Sequence, residues 1–297
     1  MIENKTLGSK LRNVIIYMIV IALALICLFP LLNIVAISFS SSAAVTTQKV
    51  GLIPVQVTLA AYKKIIADNQ FWRSFGISVI RVAIALLINL LLIVLMAYPL
   101  SKSKREFKGR NIYMNLLIFA MLFNGGMIPT YLVVKELGLL NTIWSLILPG
   151  AVPIFSVILV MNFFIGVPKS LEEAAMIDGA TPVQVLFRVY IPVSKPSLAT
   201  VALFSIVGSW NDFYSGLIYI TKIKNYPVMT YIQSLSVNIE ELLKAGMNSG
   251  SLESIIEVSN QNLNAAKIVI AVVPLLLIYP LLQRYLITGI VMGAVKE

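Results

Sequence analysis

The feature that most constrains this chain is a run without a single charge, from Val14 to Phe39. A helix needs about 20 apolar residues to cross the hydrocarbon core of a bilayer. A secretory signal has an apolar stretch of only about 7–15 residues. This run is longer and sits behind Lys5, Lys10 and Arg12, so it reads as a retained membrane anchor. Five more runs follow: Val82 to Leu100, Asn111 to Val134, Thr142 to Val167, Ser197 to Thr221 and Ala266 to Gln283. In lipid each backbone polar group must be satisfied within the protein, which favours helices for single spans. The expected fold is therefore an all-α integral membrane protein with six transmembrane helices. Composition agrees: 59% of the residues are hydrophobic and 12% are charged, against about 25% charged in a soluble domain. The mean hydropathy is +0.90.

The net charge of +10 does not indicate a nucleic-acid face, because the basic residues lie scattered or in short blocks beside apolar runs. That is the pattern that orients spans, with Lys and Arg kept on the cytoplasmic side. Lys102, Lys104, Arg105, Lys108 and Arg110 crowd one short loop, "SKSKREFKGR", which places it in the cytoplasm. Six spans then put both termini there too. Residues 168–196 also become cytoplasmic, and residues 222–265 form an outer loop. Arg81, at the leading end of the second run, is expected to snorkel to the interface. The single cysteine, Cys27, excludes an internal disulfide, and the absence of histidine removes the commonest general base and metal ligand. No catalytic and no metal residues are assigned.

Two interruptions stand out within the spans. "FNGGMIPTY" breaks the third run, where paired glycines and Pro129 suggest a packing kink. Pro149, Pro153, Pro274 and Pro280 are given the same reading. Asp212, in "GSWNDFYSGLIY", is the only acidic residue inside the six runs, and a charge there needs a partner or water. Trp210, Asn211, Asp212 and Tyr214 together offer an aromatic face and hydrogen-bonding groups, a combination suited to a sugar pathway. An equally local reading has Asp212 capping a break in its helix or lying near the outer interface.

Between the fourth and fifth runs lies "SLEEAAMIDGATPVQVLFRVYIPVSKP", polar and closely punctuated. Ser170 with Glu173 and Thr181 with Gln184 each have the spacing of a capping box. Gly179 suits the left-handed position that ends the first helix, and Pro182 the first position of the second. Val183, Leu186, Phe187 and Tyr190 share one helical face. Pro192 and Pro196 are expected to stop the helix before the fifth span. Two short helices then project as a compact knob, with small residues Ala174 and Ala175 allowing close approach by another surface.

The residues Glu173, Ala174, Ala175, Gly179, Val189, Ile191 and Pro192 resemble the cytoplasmic EAA loop of permeases from binding-protein-dependent ABC importers. Val189 and Ile191 stand where Ile and Leu are more usual. "ELGLLNTIWSLILPGAVPIFSVILVMNFFIGVPKSLEEAAMIDGA" is similar to the MalG-like carbohydrate branch. "FNGGMIPTYL" and "YPLLQRYLITGIVMGAVKE" resemble its complex-oligosaccharide subgroup.

The resemblance implies a single permease domain over residues 1–297, with 168–196 as a coupling loop that seats in a cytoplasmic ATPase. Glu172, Glu173, Ala174, Ala175, Asp178, Gly179, Val183, Phe187 and Pro192 would form that contact. It implies a second, related permease subunit, two ATPase subunits, an extracellular solute-binding protein and a carbohydrate substrate, in a bacterial plasma or inner membrane. The outer loop at 222–265 and the tail "GAVKE" would approach the binding protein and the ATPase pair respectively. No phosphate-binding Gly-x-x-x-x-Gly-Lys-Ser/Thr motif occurs in the sequence. This chain is then no enzyme and binds no cofactor of its own, while ATP and Mg belong to the partner ATPases. The alternative is a secondary transporter driven by an ion gradient, which predicts inverted repeats or paired intramembrane charges.

Overall fold

The computed structural model describes residues 7–235 and 261–294, which form helices and turns with no strand among them. In chain order the principal helices are α1 (Leu7–Ser38), α2 (Asn69–Ser101), α3 (Arg110–Leu122), α4 (Met127–Glu136) and α5 (Ile154–Ile165). These are followed by α6 (Lys169–Ile177), α7 (Pro182–Val193), α8 (Lys195–Asn211), α9 (Tyr214–Tyr219) and α10 (Gln261–Ala294). Segments of α1, α2 and α10 are long and apolar enough to cross a membrane on their own. Three bent pairs raise the number to as many as six: α3 with α4 at 113°, residues Ile143–Gly150 with α5 at 49°, and α7 with α8 at 83°.

The breaks have local causes, and one differs from the sequence expectation. Between α3 and α4 the Asn124 side chain accepts the Gly126 N–H at 2.9 Å. Gly126 has φ +90° and ψ 177°, a conformation open essentially to glycine. Pro129 lies in the first turn of α4, where its missing N–H costs nothing. The bend therefore comes from Asn124 and Gly126 rather than from the proline. Pro149 lies in a short 3-10 turn, and regular α5 begins only after Pro153. Pro274 and Pro280 leave α10 unbroken.

The chain divides into two compact units. In the first, residues 1–69 and 234–272, the Ser38 and Tyr62 hydroxyls bond at 2.9 Å and Phe39 packs on the Tyr62 ring at 4.9 Å. Asn262 and Lys267, at the start of α10, reach the Ser40 carbonyl at 3.3 Å and the Asp68 carboxylate at 2.6 Å.

The second unit comprises residues 70–233 and 273–297. Its core joins Ile93, Val94, Ala97 and Leu100 of α2 to Val157, Val160, Met161 and Phe164 of α5. Val185, Leu186 and Tyr190 of α7 and Val201 of α8 complete it. The expected outer loop starts with exposed Lys222, Ile223 and Lys224 and then turns into the unit. Pro227, Val228 and Thr230 are fully buried, the Val228 N–H donates to Ser78 Oγ at 2.8 Å, and Thr230 Oγ1 donates to the Phe213 carbonyl at 2.9 Å. A Cβ at Gly216 would meet Thr230 Oγ1 at 2.1 Å, so glycine is required there. Most of "NIEELLKAGMNSGSLESIIEVSNQNLN", and the end of the "GAVKE" tail, fall outside the described residues.

Candidate functional site

α2 places polar groups on its buried face. Ser74, Ser78, Arg81, Ala85 and Asn89 recur at helical spacing and are all buried, with Ile93, Ala97 and Leu100 continuing the line. The outward face carries exposed Val79, Ile80, Leu87, Leu91 and Leu95. A helix buried along a polar stripe and apolar outside faces protein or a cavity with one side and lipid with the other.

Arg81, Ala85 and Asn89 form one wall of a cavity of about 350 Å³. Ser205 and Ser209 of α8, with Asp212 just past its end, form another; Ser145 and Gly150 come from the turns before α5 and Ser156 from its first turn. Its size falls in the range of small-molecule sites, about 300–1,000 Å³. Asn89 satisfies its amide by donating to the Ala85 and Ala151 carbonyls at 3.1 Å each and accepting from Ser205 Oγ at 2.9 Å.

Asp212 ends α8 and has a partner. Its carboxylate pairs with the Arg81 guanidinium and accepts the Ser215 N–H at 3.0 Å. Arg81 also donates to the backbone carbonyls of Asp212 at 3.0 Å and Leu146 at 3.1 Å. Helix ends leave carbonyls without intrahelical donors, and Arg81 supplies donors where α8 stops and where the turns before α5 interrupt regular structure. Arg81 is only 3% exposed, so it does not snorkel to an interface as its sequence position suggested. The pairing meets the expectation that a charge at Asp212 needs a partner.

The neighbouring sequence candidates separate. Trp210 is buried with its ring edge-on to Phe75 at 5.5 Å, a packing contact away from the cavity lining. Asn211 is exposed, and the Tyr214 hydroxyl approaches Met127 Sδ at 2.9 Å. Of the four, Asp212 alone lines this cavity. Arg81 and Asn89 were missed because hydropathy marks a span without marking its inner face; their spacing with Ser74 and Ser78 was the available signal.

In the loop, Gly179 has φ +81°. The Ala180 N–H bonds the Ala175 carbonyl at 2.9 Å and the Gly179 N–H bonds that of Met176 at 3.0 Å, a Schellman ending. The Thr181–Gln184 capping box forms with Pro182 in the first turn. The Ser170–Glu173 box does not: α6 starts after Pro168 with no side-chain cap. Its Glu172 is buried and held by Lys102 and by the Tyr190 hydroxyl at 2.6 Å, while Glu173, Ala174 and Asp178 face outward and Ala175 packs partly on the core.

α7 contains a wider π turn over Leu186–Tyr190. Pro192 cannot donate to the Arg188 carbonyl, and its ring would crowd that group in a regular turn. The expected single apolar face consequently splits. Val185, Leu186 and Tyr190 point into the core, whereas Val183 and Phe187 remain 64% and 51% exposed. The helical path passes the exposed Pro192 and breaks at Ser194, with Pro196 in the first turn of α8. Before this loop, the Ser103 hydroxyl and backbone hold the Glu106 carboxyl below its usual range. Among the described residues no cluster of metal-ligating side chains occurs.

Residues 92–292 match the family of binding-protein-dependent transport system inner membrane components. Protein LplC of Bacillus subtilis (strain 168) is 41% identical over 271 residues, covering 91% of this chain and 90% of that protein. The polygalacturonan/rhamnogalacturonan transport system permease protein YtcP of the same strain is 37% identical over 290 residues, 97% of this chain and 99% of that one. Among solved structures, a chain from a bacterial ABC transporter involved in the import of the acidic polysaccharide alginate superposes with a TM-score of 0.84. It is 30% identical, covering 94% of this chain and 98% of that chain. The chain thus belongs to the binding-protein-dependent transport system inner membrane component family.

Proposed function

We propose that this chain is the permease subunit through which an ABC importer moves a carbohydrate, most specifically an oligosaccharide, across a bacterial plasma membrane. It works with a second permease, two ATPase subunits that hold ATP and Mg, and an extracellular solute-binding protein. Both termini and residues 102–110 and 168–196 face the cytoplasm. The names of the relatives, which refer to polygalacturonan/rhamnogalacturonan and to alginate, support a polysaccharide-derived substrate.

The observation that carries this reading is the outer surface of the loop. Ile177, 85% exposed, precedes the Gly179 turn and exposed Val183 and Phe187 follow it, with exposed Glu173 and Asp178 in the same loop. Exposed apolar groups rimmed by polar residues mark a protein contact, and the ATPase is the partner that this family supplies. Substrate passes the cavity lined by Asp212, where serine hydroxyls and the part-exposed Asp212 carboxylate offer the hydrogen bonds that a sugar exchanges for water.

The Arg81–Asp212 pair is also a paired charge of the kind that an ion-driven transporter carries. Uptake separates the two readings. The complete complex in proteoliposomes, given labelled neutral and uronate-bearing oligosaccharides, is expected to accumulate a substrate only with ATP. Vanadate should stop uptake and ionophores should not. Ion-driven accumulation without ATP would overturn the importer reading.

A further inference from the structure

Whatever the loop receives from the ATPase must reach the spans, and its two covalent connections are poor levers. α6 follows α5 across the turn at Gly166–Pro168, and α7 meets α8 at an 83° bend. A third connection is noncovalent and better built. Lys102, immediately after α2, pairs with Glu172 of α6, and its ammonium bonds the Tyr190 hydroxyl of α7 at 3.0 Å. Tyr190 in turn donates to the other Glu172 oxygen at 2.6 Å. The ammonium lies 4.3 Å from the Tyr98 ring centre and 4.4 Å from that of Tyr190. Tyr98 and Phe164 meet Tyr190 edge to face at 5.1 and 5.3 Å.

Four elements therefore converge on one charge pair among aromatic rings. Both side chains are nearly buried, at 13% and 10% exposure. In such a setting directional bonds are strong and displacement of one partner is costly. α2 then runs unbroken from this point to Arg81 on the cavity wall, about 30 Å at the helical rise per residue.

We propose that Lys102, Glu172 and Tyr190 form a positioning strut that makes the coupling loop and the cytoplasmic end of α2 move as one body. ATPase closure is thereby delivered along α2 to the cavity. Glu172 acts in coupling from inside the loop, by holding it to the span, rather than by touching the ATPase. This rests on the reading that the loop docks an ATPase and that the cavity belongs to the pathway.

The test uses the full complex with a Cys27→Ser chain carrying Ser209→Cys on the cavity wall. An impermeant maleimide labels that position with and without ATP and vanadate, and complex yield is recorded in the same preparations. The parent should show an ATP-driven change in labelling rate. Lys102→Met with Glu172→Leu removes both charges together, so neither is left buried alone, and the complex should assemble in parental yield. Its ATP-driven change should shrink roughly tenfold, within the usual span of coupling between two sites. A full change in the assembled double variant would overturn the strut. No change in the parent would overturn the pathway reading of the cavity, and the strut with it.

Discussion

Two buried ion pairs sit at different depths on α2, and they are built in opposite ways. Arg81 divides its guanidinium between the Asp212 carboxylate and two backbone carbonyls, beside a cavity to which Asp212 remains 27% exposed. Lys102 presents a compact charge to Glu172 and one phenol, closed in by Tyr98 and Tyr190. A planar fork with several donors suits a place where several helix ends stop, whereas a point charge suits a ring-lined socket. The first pair organises polar backbone around an open space. The second joins side chains of separate helices in a closed one.

The largest loss is expected at Arg81. Arg81→Leu takes the charged partner from Asp212, which keeps the Ser215 N–H, and removes a donor from two carbonyls; it is expected to cost about 3–5 kcal/mol, read as a loss of complex yield and of melting temperature in detergent. Adding Asp212→Leu should rescue little, because the carbonyls of residues 146 and 212 stay unpaired. Full rescue would show that the carbonyl contacts are incidental.

The other pair should behave differently. Glu172→Leu alone strands Lys102 and should lower the melting temperature, while the added Lys102→Met should restore most of it, only the Tyr190 hydroxyl then losing its partners. Such apolar replacement of a buried pair is often neutral or stabilising, within about 1–4 kcal/mol. Failure of that rescue would mean that the two sites follow one rule after all. The smallest effect is expected from Tyr190→Phe, which keeps the ring and the Lys102–Glu172 pair and removes only the hydroxyl's two bonds to that pair. Its melting temperature should fall less than that of Glu172→Leu, and an equal fall would move the main load from the charge pair to the phenol.

Local chemistry was legible where it acts over a few residues. Gly179 takes the left-handed turn and Thr181 with Gln184 forms its box, because both depend on neighbours in sequence. Ser170 shows the limit: the same spacing gives no cap where α6 begins after Pro168 and buries Glu172 against Lys102. The apolar runs announced long helices, and glycines and prolines announced kinks, yet not their sharpness, since a 113° turn rests on the backbone of Gly126. The cavity wall was present as the spacing of Ser74, Ser78, Arg81 and Asn89. Its meaning needed Asp212, which is distant in the chain.

That distance has a consequence for how the protein is made. Arg81 and Asp212 are separated by 131 positions. At the usual rate of synthesis, about 5–20 residues per second, Arg81 emerges on the order of ten seconds before its counter-charge exists. An unpaired arginine within a span opposes insertion, by as much as about 2.5–3.5 kcal/mol at the centre on translocon scales. The long apolar segment of α2 can hold the helix in the membrane meanwhile. Arg81, however, must keep water or a temporary partner until α8 is synthesised, so the α2–α8 contact marks a late checkpoint in biogenesis.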